Sequence, residues 1–483
     1  MTDKRSKVTS NLIWRFAERS GAQGVAFIVS LVLARILLPE DYGSIAIVTV
    51  IINILNVFVD SGLGASLIQK KDADDTDFST VFYFNVLFCI VIYSLCFLAA
   101  PFVAEYYYDP GLTAVLRVLS VTILISGLKN VQQAYVSRTL QFKKFFFATL
   151  IGTIIAAAVG IGMALCGFGI WALVAQQILN TLIDTIVLWF SVKWRPKRVF
   201  SFERLKGLYS FGWKLLATSL INVTYNNIRQ LFIGRMYSTS DLAFYNRGKQ
   251  FPSVVGTNIN SSIDSVLFPV LSKENDNPEK VKSMTRRAIR VSSFVMWPLM
   301  LGMAAVSDTL IHLLLTDKWM EAAKYLRVFC IVYAFQPIHT ANLNTIKALG
   351  RSDLLFRMEV IKKTIGLALL FISLRYGVYA VACSLLISTV FTSFINAFPN
   401  KKLIGYGYIN QIMDILPSLL TAVVMYAAVW GIGFIKLPSL ILLIVQVLVG
   451  AAVYVGISIV IRNDSFVYVK GMIGHYFSKS KKA

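Results

Sequence analysis

Acidic side chains are scarce in this 483-residue chain: 25 Asp and Glu stand against 47 Lys and Arg, a formal net charge of +22. Such an excess could mark a nucleic-acid binder, but the cations sit between apolar runs rather than in one patch, as the positive-inside rule requires of a membrane protein. Nucleic acid is therefore not an expected partner. Cysteine is sparse too. Cys89, Cys96, Cys166, Cys330 and Cys383 lie in apolar context without paired metal spacing, read as small core hydrophobes and imply no disulfide framework. Walker A, H-E-x-x-H and G-x-S-x-G sequences are all missing, and no outer loop is long enough to hold a catalytic domain. These absences argue against an enzyme, a metal centre or a cofactor.

What the chain has in abundance is apolar length. Hydrophobic residues make up 56% and aromatics 13%, the mean hydropathy is +0.66, and runs of about 20 apolar residues recur from end to end. Continuous runs of this kind predict membrane helices; a β-barrel would alternate every second residue. Fourteen spans are expected, at roughly 12–38, 43–67, 79–103, 113–136, 146–166, 170–192, 215–235, 243–271, 288–307, 325–347, 358–376, 377–398, 412–434 and 438–461. Assigned alternately, the cytosolic segments hold most of the Lys and Arg, whereas outer links such as Ala104 to Gly111 and Cys166 to Gly169 hold none. Both termini are thus expected in the cytosol. Residues 20–38 lack an A-x-A cleavage site, so the first helix should be uncleaved.

The chain also repeats itself. Residues 116–172 match residues 326–382 at a constant offset of 210, and Leu31 to Gly43 answers Leu231 to Ala243 at an offset of 200. Six helices per repeat is an even number, so both repeats enter from the cytosol and their pseudo-two-fold axis runs along the membrane normal. The expected fold class is an all-α integral membrane protein of about 14 transmembrane helices: two pseudo-symmetric six-helix bundles (1–6 and 7–12) around a central cavity, plus two extra C-terminal helices. The corresponding domains are 1–192, a basic amphipathic cytosolic linker 193–214, 215–400, and 401–483 with its basic tail. Twin bundles about a cleft are a transporter's architecture.

Polar stripes mark where a cavity would lie, because ionisable groups within a membrane avoid lipid. Arg15, Arg19 and Gln23 fall at i, i+4 and i+8 of the first span. Asn53, Asn56 and Asp60 line the second; Asn222, Asn226 and Arg229 line the seventh; Thr257, Asn260 and Asp264 line the eighth, with Arg247 at its outer end. Lys129 lies within the fourth, near Asn130, Gln132 and Gln133, and the tenth has His339, Thr340, Asn342 and Asn344 at matching positions. The bland account is that amides and hydroxyls glue helices together, that near-terminal cations reach headgroups, and that Asp60 and Asp184 each pair with a neighbouring cation. Arg35 and Arg235, beside acidic residues at the outer face, read as loop anchors.

Four motifs add a resemblance that covers nearly the whole chain. LARILLPEDYGSIAIV (Leu33 to Val48), VDSGLGASLIQKK (Val59 to Lys71), LAFYNRGKQFPS (Leu242 to Ser253) and SVLFPVLSKEND (Ser265 to Asp276) resemble bacterial polysaccharide flippases. The branch is the one typified by the colanic-acid flippase, within the multidrug/oligosaccharidyl-lipid/polysaccharide exporter superfamily. The resemblance implies movement of undecaprenyl-pyrophosphate-linked oligosaccharide from the inner to the outer leaflet of the bacterial inner membrane by alternating access, for O-antigen, capsule or exopolysaccharide assembly. It also implies membrane lipids, a coupling cation or proton, and other polysaccharide-assembly proteins as partners. In the related peptidoglycan-precursor flippase, arginines of helices 1, 2 and 8 matter; here Arg15 and Arg19 fit helix 1 and Arg247 fits helix 8, while helix 2 carries Asp60 instead. On this reading Arg15, Arg19, Arg229, Arg247 and Lys129 attract the pyrophosphate, and the polar stripes hydrogen-bond sugars. Alternatives are a multidrug cation antiporter of the same superfamily and, more remotely, a membrane-embedded polymerase or acyltransferase.

The topology has a direct test. Alkaline phosphatase fused after Ala483 should be inactive and a fluorescent protein there should glow; an active phosphatase would invert the map.

Overall fold

The computed structural model describes residues 21, 23–60, 62–468 and 470–471. Arg15 and Arg19 lie outside the described residues. Among those described there are helices, one short 3-10 turn and no strand. Every backbone donor within a bilayer needs a partner inside the protein, and a helix supplies it within one segment, so long apolar runs fold this way. Among the described residues, nine helical stretches are long and apolar enough to cross a membrane. The chain divides into two compact units, the first ending at Ala243 and the second beginning at Phe244.

The first unit holds α1 (Gln23–Ile36), α2 (Pro39–Asp60), α3 (Leu63–Gln69), α4 (Asp75–Tyr106), α5 (Gly111–Leu119), α6 (Val121–Arg138), α7 (Phe142–Leu165), α8 (Ile170–Ser191) and α9 (Phe202–Met236). Its second span is broken between α2 and α3, and Gly62 shows why. Its φ of +67° belongs to the left-handed region, and a Cβ there would stand 2.2 Å from the Gly212 carbonyl oxygen of α9. Ser66 Oγ, one turn on, donates to the Leu208 carbonyl at 3.1 Å and continues this close seam.

Residues 193–214, expected as a linker, take two forms. Residues 192–201 are non-helical and pinned to the end of α4. Ser79 and Thr80 accept from the backbone N–H groups of Lys197 and Ser201, and Trp194 is buried against Phe78, Phe82 and Tyr135. From Phe202 onward, with Ser201 accepting from the Arg204 N–H as its cap, a single helix runs on into the seventh span. No proline interrupts it, so the expected boundary at 214 leaves no mark.

Both ends of α9 are tied to the α4 region. At one end Arg204 pairs with Asp74, the N-cap of α4, and this hydrogen-bonded pairing holds the Asp74 carboxyl down to about 2. At the other, Arg235 donates to the Tyr108 hydroxyl at 3.0 Å and lies 4.7 and 4.3 Å from the Tyr106 and Tyr108 ring centroids. Arg235 therefore anchors a loop, as expected, but through tyrosines; Asp241 instead accepts from Ser238.

α10 (Thr239–Lys273) carries the chain across the division. The second unit continues with α11 (Pro278–Ala305), α12 (Ser307–Leu315), the 3-10 turn Asp317–Trp319, α13 (Glu321–Ala334), α14 (Gln336–Ala348), α15 (Ser352–Ser373), α16 (Val378–Ile404), α17 (Tyr408–Ile432) and α18 (Ser439–Val460). The repeat is visible in helix starts: Pro39 and Thr239 open α2 and α10, Gly111 and Glu321 open α5 and α13. The change of offset between those pairs is taken up by α12 and its turn, which have no counterpart between α4 and α5. Each expected span from the second onward coincides with one helix or with two end-to-end helices, and the first is described only from residue 21.

Replacing Gly62 by Ala should lower stability by more than about 1 kcal/mol, through left-handed strain and the clash with α9. Thermal unfolding in detergent checks this; an unchanged midpoint would refute the close seam.

Candidate functional site

The break after α2 leaves Asp60 at the helix end, facing a cavity of about 510 Å³ within the first unit. Asn130, Gln133 and Ser137 of α6, Ser219 of α9 and Gly64 of α3 also line it, among Val57, Leu215 and Val223. Asn130 is buried, and its Nδ2 donates to Asp60 Oδ1 at 2.9 Å and to the Val59 carbonyl at 3.2 Å. The neighbouring Lys129 turns elsewhere. Its Nζ lies 2.9 Å from Asp184 of α8, with both side chains mostly buried. Of the two cation pairs weighed for these carboxylates, Asp184 forms one; Asp60 takes an amide donor instead.

The second unit repeats the motif. Asp264 of α10 accepts at Oδ1 from Nδ2 of buried Asn344 in α14, at 2.9 Å. At the repeat offsets Asp60 corresponds to Asn260 and Asn130 to Thr340, so both members of the second pair sit four residues, about one helical turn, further along. The later position is occupied in the first unit by Gly64, where a Cβ would stand 3.0 Å from Asn130 Oδ1. Each unit thus ties its second expected span to its fourth by a carboxylate and a carboxamide.

The candidate cations are placed as follows. Arg229 of α9 is 5% exposed, with its guanidinium 5.7 Å from the Tyr225 ring centroid. Arg247 of α10, also 5% exposed, donates to Gln250 Oε1 at 2.5 Å and lies 5.3 Å from the ring of Trp319, in the 3-10 turn. Gln23, Asn53, Asn222, Asn226 and Thr257 are exposed; Asn56 and Asn260 are half-buried, each with a buried carboxamide oxygen. The structure brings Asp60 and Asn130 together in one cavity. It places Arg229 and Lys129 elsewhere in the same unit and Arg247 and Asp264 in the other.

The polar stripe of the tenth span included Asn342, but its partners Asn400 and Gln411 escaped the sequence reading. Asn342 of α14 and Gln411 of α17 exchange two hydrogen bonds of 2.8 Å, and Asn400 of α16 donates to Asn342 Oδ1 at 2.7 Å. All three are buried. The available signal was Gln411 opening an otherwise apolar span, since such an amide must find partners.

Two units of this construction define a class: a polytopic, all-helical membrane protein with a transporter fold. The fold is that of the lipid II flippase MurJ in an inward closed conformation, matched over 94% of this chain and 99% of that one with a TM-score of 0.78 and 14% identity. It is also similar to an inward-facing multidrug resistance MATE transporter, with 79% and 94% covered, a TM-score of 0.62 and 13% identity. Within that class, residues 32–324 match the polysaccharide biosynthesis protein family, and the chain belongs to it. Relatives include the teichuronic acid biosynthesis protein TuaB of Bacillus subtilis, 26% identical over 380 residues (76% of this chain, 77% of that one). The lipopolysaccharide biosynthesis protein WzxC of Escherichia coli is 26% identical over 437 residues, 88% of each chain. The succinoglycan biosynthesis transport protein ExoT of Rhizobium meliloti is 24% identical over 412 residues, 85% of this chain and 82% of that one.

Replacing Asn130 by Ala removes the donor to Asp60 and should cost about 1–3 kcal/mol. In a double-mutant cycle with Asp60→Ala the two losses should be markedly less than additive. Additive losses in thermal unfolding would show that the hydrogen bond carries no energy.

Proposed function

We propose that the protein is a flippase that moves undecaprenyl-pyrophosphate-linked oligosaccharide repeat units from the cytoplasmic to the periplasmic leaflet of a bacterial inner membrane by alternating access. One observation carries this reading: the chain belongs to the polysaccharide biosynthesis family while sharing its fold, over 94% of its length, with a protein named as a lipid II flippase. The relatives fit the same work, being named for teichuronic acid, lipopolysaccharide and succinoglycan biosynthesis or transport. Both termini are assigned to the cytosol, on the loop charges.

The chemistry assigned to the site follows from residue types. Arg229 and Arg247, with Arg15, Arg19 and Lys129, supply the positive charge that draws the lipid pyrophosphate inward; guanidinium forks engage phosphate oxygens in pairs. The Trp319 face and Gln250 hold the Arg247 fork in one orientation. Gln23, Asn53, Asn56, Asn222, Asn226, Thr257 and Asn260 offer the mixed donors and acceptors that sugar hydroxyls require. Asp60 and Asp264 accept from hydroxyls with the oxygen that Asn130 and Asn344 leave over. Outward movement of an anionic headgroup is favoured by about 2.3 kcal/mol per charge per 100 mV with the cell interior negative.

A multidrug cation antiporter would use intramembrane carboxylates to bind its cargo. Here Asp60, Asp184 and Asp264 each already hold a protein donor. That arrangement favours the flippase.

Arg229→Ala and Arg247→Ala, each expressed to wild-type level in the membrane, should cut surface polysaccharide at least tenfold, and the Lys variants should recover part of it. Full export by both Ala variants would overturn the assigned cations. Normal surface glycan with lost drug resistance in a deletion strain would overturn the flippase itself.

A further inference from the structure

At the start of α11 three guanidinium groups meet two carboxylates. Arg286 makes a two-pronged pair with Asp414 of α17, both bonds 2.7 Å, and Arg290 donates to Asp464 at 2.8 Å while approaching Asp414 at 3.8 Å. Arg287 pairs with neither. Its guanidinium lies 5.2 Å from the Tyr468 ring centroid, and none of the described carboxylates comes within ion-pair distance of it. The cluster therefore keeps one positive charge in excess, exposed on Arg287.

That charge sits at the junction of two concavities of the second unit. One, of about 290 Å³, is lined by the three arginines with Ser283, Ser465 and Asp464, whose carboxylate is held by Arg290. The other is an apolar groove of about 600 Å³ between α10 and α11, walled by Ile263, Val266 and Val270 on one side and Val291 and Val295 on the other. Arg287, Val291 and Tyr468 line both, so the polar pocket opens directly into the apolar groove. On the loop-charge assignment this junction lies at the cytosolic leaflet.

We propose that this is a binding site for one anionic phospholipid of the inner leaflet. Its phosphodiester sits in the pocket against Arg287, with Ser283 and Ser465 as further donors, and an acyl chain lies along the groove between α10 and α11. Basic pockets beside apolar helix surfaces at the cytosolic face hold acidic headgroups in this way. Charge selects the occupant. One guanidinium in excess balances the single charge of a phosphodiester, whereas a pyrophosphate would need the donors that Asp414 and Asp464 already hold. The site is thus a lodging for bilayer lipid and separate from the residues assigned to the transported substrate.

The test uses the full-length protein reconstituted in nanodiscs of phosphatidylethanolamine and phosphatidylglycerol and released for native mass spectrometry. Wild type should retain one phosphatidylglycerol in preference to phosphatidylethanolamine; Arg287→Gln should lower that retention about tenfold and Arg287→Lys should preserve it. Val266→Trp, which fills the groove and leaves the charge, should lower retention as well, with thermal unfolding used to confirm that both variants fold. Equal retention of the two lipids by wild type, or unchanged retention by Arg287→Gln, would overturn the site. So would displacement of phosphatidylglycerol by equimolar undecaprenyl pyrophosphate, which would make the groove part of the substrate path. None of these readouts measures transport, so their failure leaves the flippase reading intact.

Discussion

A carboxylate set among apolar helices takes a fixed orientation only when donors on neighbouring helices meet its oxygens, and this holds even for the exposed Asp60 and Asp264. Asp60 and Asp264 are met by carboxamides, and that choice has an electrostatic consequence. A lysine or arginine would bring a counter-charge, as Lys129 does for Asp184; an amide brings a hydrogen bond and no counter-charge. Each unit therefore holds one carboxylate by a neutral donor. Close by in the backbone, Gly62 turns left-handed where Gly212 of α9 comes close.

The all-helical membrane class and the internal repeat could be read from the chain because they are set by properties that add up locally. Apolar length gives spans, and a constant offset gives repetition. Helix starts agree with the offsets residue for residue, at Pro39 and Thr239 and at Gly111 and Glu321. The polar stripes were visible for the same reason, since any amide or acid stands out in an apolar run.

Partnership was another matter. That Lys129 would reach Asp184, 55 residues away, while its neighbour Asn130 took Asp60, depends on helix rotation that periodicity leaves undetermined. The breaks within the second, fourth and tenth spans were equally hidden, because each half remains apolar and the turn is local backbone geometry. The continuity of α9 through residue 214 was concealed by its basic, aromatic first turns, which read as a linker by composition but form a helix by capping. The triad of Asn342, Asn400 and Gln411, which fastens α17 to α14 and α16, joins positions far apart in the chain. Its members are individually ordinary.

The paired ends of α4 and α9 carry a mechanical implication. Both are rods of roughly 50 Å at 1.5 Å per residue, joined near one tip by Arg204 and Asp74 and near the other by Arg235 and Tyr108. Two struts fastened at both extremities behave as a truss. Neither can slide lengthwise by a helical turn without breaking both fastenings at once, so whatever bending the first unit undergoes has to be taken up by its other helices, with this pair moving as one stiff beam.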